Sequence, residues 1–388
     1  MTGSQSLALT LTGAEVLRPD GLHHAPLSVA DGRITADQQA RRVDLTGFRV
    51  LPGIVDAHGD GFERHLAPRR GAMRDLGHGL RSVAAELATN GITTAMLAQF
   101  WSWEGGMRGA DFALRFLDAL ATYRGDDPDS NGTDLRAQLR VETHLIADFP
   151  AIEDAVARFG IGYLVFNDHL PHAALEAGKR PARLTGQALK SGRNPEVYLA
   201  LMQHLHGLSD QVPQAVGALA ARLVAQGVIL GSHDDRSVEG RRDWRSRGVG
   251  LSEFPETRPA AAEARSGGDG IILGAPNVMR GGSHSGNVAA QELIEAGLCD
   301  ALASDYYYPA PRLAALILAD VIGLPAAWDL VSAGPARLLG LTDRGRLVPG
   351  QRADLVVLDD AGRVAATLAG GWVTHMAGAV AARFIAAA

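Results

Sequence analysis

A long alternation of two hydrophobic periods constrains the fold of this chain more than any other feature. Between residues 51 and 343, apolar runs of strand length alternate with segments whose apolar residues recur every three or four positions. That order is typical of a parallel sheet whose strands are joined by helices. One helical stripe, which Asn90-Gly91 closes, consists of Leu76, Leu80, Val83 and Leu87.

Eight of the apolar runs are predicted strands. They lie at 54–57, 92–97, 139–143, 162–166, 228–231, 250–253, 270–273 and 301–304. This number and spacing fit a (β/α)8 TIM barrel, which usually takes about 250 residues. A doubly wound open sheet is the alternative, but no glycine fingerprint follows the first strand.

The two ends of the chain have a different character. Short β-like runs at 7–11, 27–29 and 42–45 alternate with turn residues, and the runs at 353–358 and 372–374 resemble them. Neither end is long enough to form a domain alone, so we expect them to pair. The predicted fold is therefore α/β: a TIM barrel over 51–343 with a small discontinuous β-sandwich domain formed by 1–50 and 344–388.

Composition excludes several classes of function. Lys and Arg number 37 against 43 Asp and Glu, a formal charge of −6 that is mixed along the chain, so we expect neither nucleic-acid nor membrane binding. The single cysteine, Cys299, excludes an intramolecular disulfide framework. No secretory signal opens the chain, and the apolar segment 313–331 is broken by Pro325. We expect a cytoplasmic protein.

Several predicted strands end in residues that bind metal ions. In a barrel, groups that follow the carboxyl ends of the strands converge on one mouth. Imidazole and carboxylate ligands together suit Zn, Mn, Fe or Co better than Ca or Mg. If Glu142 bridges two ions, the six ligands divide between them. The two ions would then share a hydroxide that attacks the substrate, as in hydrolases. The candidate ligands are His58, Asp60, Glu142, His169, His233 and Asp305.

Two segments resemble the amidohydrolase superfamily. Residues 51–58 match its Pro-Gly-hydrophobic-hydrophobic-Asp-x-His opening, and residues 347–356 resemble its return into the terminal β domain. The usual His-x-His is His58-Gly59-Asp60 here. In this respect the sequence resembles one branch of the superfamily. Members of that branch release diphosphate from ribose 1-methylphosphonate 5-triphosphate in the carbon-phosphorus lyase pathway. The segments that match this branch are 58–69, 168–169, 232–235, 253–255, 274–287 and 304–306.

The resemblance implies roles for the candidate ligands. It implies two divalent metal ions, with Zn favoured and Mn, Fe or Co as alternatives, held by the six residues named above. It also implies that Asp305 is the general base toward the bridging water. His144 is an alternative to Glu142, because we place the two on one strand face.

A polyphosphate substrate needs cationic and hydrogen-bonding partners. The sequence differs from the family after His169 and at Arg69-Arg70-Gly71, and both segments are expected to lie beside the substrate. The residues from Arg280 to Asn287 are predicted to form a glycine-rich loop ahead of a helix that begins near Asn287. The candidate substrate-binding residues are Arg64, His65, Arg69, Arg280, Ser283, His284, Ser285 and Asn287.

These observations favour a hydrolase in which a metal-bridging hydroxide attacks phosphorus and diphosphate leaves. A hydrolase of cyclic amides, amides or deaminable substrates is the first alternative, since most of the superfamily does such chemistry. A noncatalytic barrel acting as a scaffold is the second. The expected partner is a small phosphorylated sugar, and self-association into a homo-oligomer is left open.

Overall fold

A computed structural model of the chain describes residues 7–67, 75–126, 132–282 and 287–387, with the side chain at 126 excepted. The fold divides into two compact units. The first comprises Met1–Leu97, Thr122–Arg136 and Ile272–Ala388, and the second comprises Ala98–Ala121 and Ala137–Ile271. The domain boundaries predicted above, at 50 and 343, stay a prediction.

The strands occur in three groups along the chain. Seven short strands come first: β1 (Leu9–Thr12), β2 (Glu15–Arg18), β3 (Gly21–His24), β4 (Leu27–Ala30), β5 (Arg33–Thr35), β6 (Arg42–Asp44) and β7 (Arg49–Pro52). Eight follow: β8 (Ile54–Gly59), β9 (Ile92–Trp101), β10 (Asp134–Glu142), β11 (Tyr163–Asn167), β12 (Ile229–His233), β13 (Leu251–Glu253), β14 (Gly270–Gly274) and β15 (Ala301–Ala303). The last three are β16 (Leu355–Leu358), β17 (Val364–Ala369) and β18 (Trp372–Met376).

The helices lie between the barrel strands and after them. They are α1 (Glu63–Leu66), α2 (Leu76–Thr89), α3 (Ala110–Asp126), α4 (Phe149–Phe159), α5 (His172–Glu176), α6 (Leu184–Ser191), α7 (Pro195–His206), α8 (Val212–Ala225), α9 (Val238–Ser246), α10 (Arg258–Ser266), α11 (Ala275–Arg280), α12 (Ala290–Glu295), α13 (Ala310–Ile322), α14 (Leu324–Asp329), α15 (Ala333–Leu338) and α16 (Gly378–Ala386).

The eight middle strands form one parallel sheet in chain order, from β8 to β15. In the first unit β8 pairs with β9 and β14 pairs with β15, while in the second unit β10 to β13 pair in succession. A parallel bridge between Gly59 and Asp305 joins the first strand to the segment after the last. The predicted (β/α)8 barrel and all eight of its strands are confirmed.

Helix α2 shows how the sequence fixes local structure. The Asp75 side chain accepts a hydrogen bond from the Gly77 N–H and caps the first turn, and Asn90 ends the helix. The next residue, Gly91, has φ +81°, where a side chain would be strained. The predicted stripe is buried along the whole helix, at Leu76, Leu80, Val83 and Leu87.

The chain termini build two small sheets in the first unit. The four-stranded sheet has the order β5-β4-β1-β6, and the six-stranded sheet, β18-β17-β16-β7-β2-β3, takes strands from both termini. Their inner faces share one apolar core, in which Leu11 and Val29 of one sheet and Val50 and Leu355 of the other are fully buried or nearly so. This packing is the predicted β-sandwich.

The apolar segment 313–331 forms α13 and α14, separated by Gly323 at φ +81°. Pro325 lies in the first turn of α14, where its missing N–H costs nothing. Among the described residues, no helix combines the length and the apolar character that a membrane span needs.

Candidate metal centre

Three predicted ligands lie in the first compact unit and are linked through the backbone. His58 is fully buried near the end of β8. The Asp305 N–H donates to the His58 carbonyl, and the Asp60 N–H donates to the Asp305 carbonyl, both at 2.9 Å. These two bonds extend the pairing of the first and last strands, so they fix the three residues together. We call His58, Asp60 and Asp305 the first ligand group.

A buried carboxylate ties the same two strands together below this group. Ser304 donates its N–H to Asp56 Oδ1 at 2.9 Å and its hydroxyl to Asp56 Oδ2 at 2.5 Å. Burial raises the pKa of Asp56 to about 6, although the Ser304 hydrogen bonds favour its charged form. A Cβ atom at Gly59 would lie 2.8 Å from both the Asp56 and Ser304 side chains. The residue between His58 and Asp60 is therefore glycine because the strand junction leaves no room for a side chain.

The backbone is strained beyond the carboxyl ends of the strands. Four residues other than glycine have positive φ among those described, and three of them follow barrel strands. Asp234 (61°) follows β12, Phe254 (53°) follows β13, and Asp305 (55°) lies two residues after β15. Side chains are uncommon in this conformation, which tends to occur at functional sites. The strain therefore marks the edge of the sheet at which ligands were predicted.

The other three predicted ligands lie in the second unit and are linked through side chains. Glu142 is buried at the end of β10. Its Oε1 lies 2.5 Å from His169 Nδ1, and its Oε2 accepts from the His169 N–H at 3.1 Å and from Trp103 Nε1 at 3.2 Å. Both carboxylate oxygens thus have fixed positions. We call Glu142, His169 and His233 the second ligand group.

The pKa values of Glu142 and His169 move in opposite directions. Burial alone would raise the pKa of Glu142, but the hydrogen bonds and charge of His169 hold it below its usual value. Burial alone would lower the pKa of His169, but the contact with Glu142 raises it. The buried Glu142 carboxylate and the partly exposed His169 ring therefore form an ion pair. A divalent cation would replace the imidazolium proton, since metal ligands bind in their deprotonated forms.

His233, at the end of β12, contacts a charged side chain through each ring nitrogen. Arg140 Nη2 lies 3.0 Å from His233 Nε2, and Asp234 Oδ2 lies 3.1 Å from Nδ1. Arginine has only donors, so Nε2 accepts and the ring proton sits on Nδ1. Burial and the Arg140 charge lower the pKa of His233. The imidazole is therefore neutral, the form that binds metals. Ligation through Nε2 would require Arg140 to move away from it.

Arg140 was not predicted as a site residue. It is buried, donates through Nε and Nη2 to Asn167 Oδ1, and lies over the Phe100 ring at 4.0 Å. A signal was present in the sequence, because Gln138, Arg140 and Glu142 alternate with apolar residues along one strand. Such spacing directs all three side chains to one face.

Glu253 is a further buried carboxylate. It lies in the matching segment 253–255 but was not predicted as a site residue. Its Oε1 accepts from Gln138 Nε2 at 2.6 Å and from the Tyr163 hydroxyl at 2.5 Å. One of its oxygens lies within 4.8 Å of a His233 ring nitrogen. Its position at the end of β13 is equivalent to that of the predicted ligands on other strands. This equivalence could have identified it from the sequence.

The structure separates Glu142 from its alternative, His144. Strand β10 ends at Glu142, and the Leu145 N–H bonds back to the Glu142 carbonyl at 3.1 Å. This turn ends the alternation on which the shared strand face was based. Glu142 contacts His169, whereas His144 lies 3.2 Å from Ser209 Oγ. The second ligand group is therefore defined with Glu142, whose role as a ligand stays a prediction.

The predicted substrate-binding residues are partly engaged within the protein. Arg64 and His65 both contact the Glu86 carboxylate, and Arg280 donates to the Tyr306 hydroxyl. Asn287 is half-buried in the loop before α12, whose first residue is Ala290 rather than a position near 287. The remaining predictions lie outside the described residues: Arg69, Ser283, His284 and Ser285.

A cavity of about 310 Å³ opens within the second unit. Its walls include His169 and His233 of the second ligand group, together with Asp168, His172 and Arg236. Imidazoles, carboxylates and a cationic group thus surround a space large enough for a small substrate. The donor set of this wall matches the imidazole and carboxylate chemistry of zinc-type ions.

Comparison with known proteins identifies relatives. The model of the amidohydrolase family matches residues 64–374. Over 343 residues the chain is 33% identical to the alpha-D-ribose 1-methylphosphonate 5-triphosphate diphosphatase of Escherichia coli (strain K12), covering 85% of this chain and 90% of the relative.

Solved structures share the fold at lower identity. A mutant of the N-acetyl-D-glucosamine-6-phosphate deacetylase of Mycobacterium smegmatis is 16% identical with a TM-score of 0.59, covering 95% of this chain and 99% of the other. The beta-aspartyl dipeptidase of Fervidobacterium islandicum AW-1 is 15% identical with a TM-score of 0.58, covering 96% and 97%. The fold, the family model and the Escherichia coli relative all identify the same family. The chain belongs to the amidohydrolase family.

Proposed function

We propose that this hydrolase releases diphosphate from alpha-D-ribose 1-methylphosphonate 5-triphosphate and leaves 5-phospho-ribose 1-methylphosphonate. The observation that carries the proposal is the 33% identity to the Escherichia coli diphosphatase, which extends over 85% of the chain. The match also covers 90% of the relative's own length. Family membership by itself supports a metal-dependent hydrolase.

The proposal assigns two divalent ions to the two ligand groups. His58, Asp60 and Asp305 would supply ligands from the first group, and Glu142, His169 and His233 from the second. Bound divalent ions activate water and withdraw charge from a phosphoryl oxygen. The buried Glu142 carboxylate supports this assignment, since its two oxygens are already directed by His169 and Trp103.

Asp305 is proposed as the general base. Its N–H and its carbonyl are both hydrogen-bonded within the first ligand group, so the backbone that carries the carboxylate is held in place. A carboxylate oxygen of Asp305 would take the proton from water as the water oxygen bonds to phosphorus. One phosphoanhydride bond breaks at the same phosphorus, and diphosphate departs with the bond electrons. Proton removal of this kind typically contributes 10²- to 10⁴-fold to the rate.

The triphosphate would require cations that are now paired within the chain. Arg64 and His65 share the Glu86 carboxylate, and Arg280 contacts Tyr306. We propose that these three side chains bind substrate oxygens together with Asn287 and the residues outside the described part, Arg69, Ser283, His284 and Ser285. Arginine makes charge-assisted bonds to phosphate as it does to a carboxylate, so substrate oxygens would take the place of Glu86.

A hydrolase of amides is the second candidate. The observation that favours it is the contact of Arg64 and His65 with the Glu86 carboxylate, which leaves these side chains less available to a polyanion. Related folds in the same comparisons belong to a deacetylase and a dipeptidase. This candidate uses the same two ligand groups.

The deciding experiment measures metal content and product release together. Purified protein loaded with Zn, Mn, Fe or Co would be incubated with the ribose triphosphate, with ATP and with a panel of cyclic amides. We expect about two ions per chain in the two ligand groups and diphosphate release selective for the ribose triphosphate. Amide turnover without diphosphate release would replace the first candidate by the second. Arg280→Gln should slow triphosphate turnover and leave amide turnover unchanged.

A further inference from the structure

The second unit contains a cluster of potential metal ligands that belongs to neither ligand group. One ligand atom each from His144, Asp168 and His172 lies within 4.8 Å of the other two. Asp168 Oδ1 lies 3.7 Å from His144 Nδ1, and Asp168 Oδ2 lies 2.9 Å from His172 Nε2. We call these three residues the His144 cluster.

The tautomer of His144 follows from its neighbour Ser209. The Ser209 hydroxyl donates to the His206 carbonyl at 2.6 Å, which uses its single hydrogen. Ser209 Oγ must therefore accept from His144 Nε2, 3.2 Å away. His144 Nδ1 consequently carries a lone pair, which lies beside the negative Asp168 carboxylate and 3.2 Å from the Thr143 hydroxyl.

His172 contacts His206, which could accept the second N–H of a metal-bound His172 ring. Its Nε2 lies 2.9 and 3.1 Å from the two Asp168 oxygens, while its Nδ1 lies 2.8 Å from His206 Nδ1. If Nδ1 holds the proton and donates it to His206, Nε2 presents a lone pair toward Asp168. A ligating histidine almost always donates its other N–H in this way, which fixes the ring.

We propose that the His144 cluster binds one divalent cation of the zinc type, separate from the ions of the two ligand groups. His144 Nδ1, His172 Nε2 and an Asp168 oxygen supply two nitrogens and one oxygen. Three protein ligands with an open fourth position is a common zinc arrangement. A cation among these three atoms is attracted by the Asp168 carboxylate and by the lone pairs of both nitrogens.

The spacing and exposure of the cluster suit entry of an ion. Ligand atoms on a tetrahedral ion with bonds of about 2.1 Å lie about 3.4 Å apart. Shifts of about 1 Å therefore close the set. The Asp168 and His172 side chains are 40% and 33% exposed and line the 310 Å³ cavity. The fourth position of the ion faces this space, where an anionic group or water completes it.

The inference does not rest on the proposed diphosphatase activity. Arg236 lines the same cavity, and its charge is partly offset by Glu256 at 2.6 Å. The imidazole rings of His144 and His172 have centroids 4.9 Å apart, and those of His172 and His206 have centroids 5.0 Å apart. Two imidazoles and one carboxylate, with a third imidazole behind His172, are a donor set for a zinc-type ion rather than for calcium.

The test counts ions in the full-length chain. Metal-stripped protein would be titrated with Co²⁺, with visible absorption and elemental analysis as readouts, and the titration repeated with Zn²⁺. We expect His172→Ala and Asp168→Asn each to bind one ion per chain fewer than the unchanged protein. Both positions are part-exposed, so the variants should fold, which circular dichroism checks. His204→Ala, an exposed histidine on the same helix α7 as His206, is the matched control and should bind as many ions as the unchanged protein.

A second comparison separates this site from the two ligand groups. Glu142→Gln should lose ions of the ligand groups but keep the Co²⁺ absorption that His172→Ala removes. The proposal is overturned if His172→Ala and Asp168→Asn keep both the ion count and the spectrum of the unchanged protein. It is equally overturned if the His204→Ala control loses the same ion.

Discussion

The first and second ligand groups are held in different ways. In the first group, His58, Asp60 and Asp305 are linked by backbone N–H to carbonyl bonds of 2.9 Å. In the second group, the contacts run through side chains, from His169 to the Glu142 carboxylate and from Arg140 to His233. Replacing a side chain leaves a backbone bond intact, whereas it removes a side-chain contact outright.

This difference predicts different effects of substitutions in the two ligand groups. A substitution in the first group should change what the side chain does and leave its position unchanged. A substitution in the second group leaves a buried partner without its bond, which costs about 1–3 kcal/mol for a typical group. We therefore expect losses of activity from the first group and losses of stability from the second.

The largest expected effect is that of Asp305→Asn. The amide cannot accept the proton from water, so turnover should fall by at least about two orders of magnitude. Metal content should stay unchanged because the asparagine amide keeps an oxygen that can bind the ion, and thermal stability because the backbone bonds of residue 305 remain. Steady-state kinetics, elemental analysis and calorimetry check the three parts. Loss of metal along with activity would mean that Asp305 acts chiefly as a ligand.

Arg140→Met should destabilise the second group by about 2 kcal/mol. The buried guanidinium donates twice to Asn167 and once to His233, and hydrogen bonds to charged groups contribute about 1.5–3 kcal/mol. Urea unfolding measures the change. Arg158→Met, which breaks an exposed pair with Asp118, is the control and should change stability little. Equal losses of stability in the two variants would contradict the proposal that side-chain contacts hold the second ligand group.

Glu142→Gln should change how stability depends on pH in metal-free protein. The lowered pKa of Glu142 contributes stability above its unfolded value of about 4.3, which is lost as pH falls through the folded value. The raised pKa of His169 contributes stability below its unfolded value of about 6.5, which is lost as pH rises through the folded value. The Gln variant should therefore differ most from the unchanged protein between about pH 4.3 and 6.5 in denaturant unfolding. A difference independent of pH would contradict the ion pair between Glu142 and His169.

The smallest expected effect concerns substrate binding. Glu86→Gln removes the carboxylate that holds Arg64 and His65, so the KM for the ribose triphosphate should fall by about two- to fivefold, since exposed ion pairs are worth about 0.2–1 kcal/mol. The kcat should stay unchanged. Glu196→Gln, which breaks the exposed pair with Arg180, is the matched control. An unchanged KM in the Glu86 variant would show that these cations do not contact the substrate.

Much of the fold was predictable because periodicity is a local property of the chain. The strand that was predicted at 92–97 forms over Ile92–Trp101, and the helix after residue 75 has its apolar stripe buried as expected. The ends of strands are less predictable. Assigning His144 to the face of Glu142 assumed that β10 continued to residue 143, but a turn begins after Glu142.

The sequence by itself determined the barrel, the paired termini and the candidate ligands, because hydrophobic period and residue type can be read without long-range contacts. Only the tertiary structure decided which side chains meet. It paired Glu142 with His169, placed Arg140 against His233, engaged Arg64 with Glu86 and gathered His144, Asp168 and His172. Those contacts join residues up to 93 positions apart. They depend on strand register and turn geometry, and no local pattern in the chain records either.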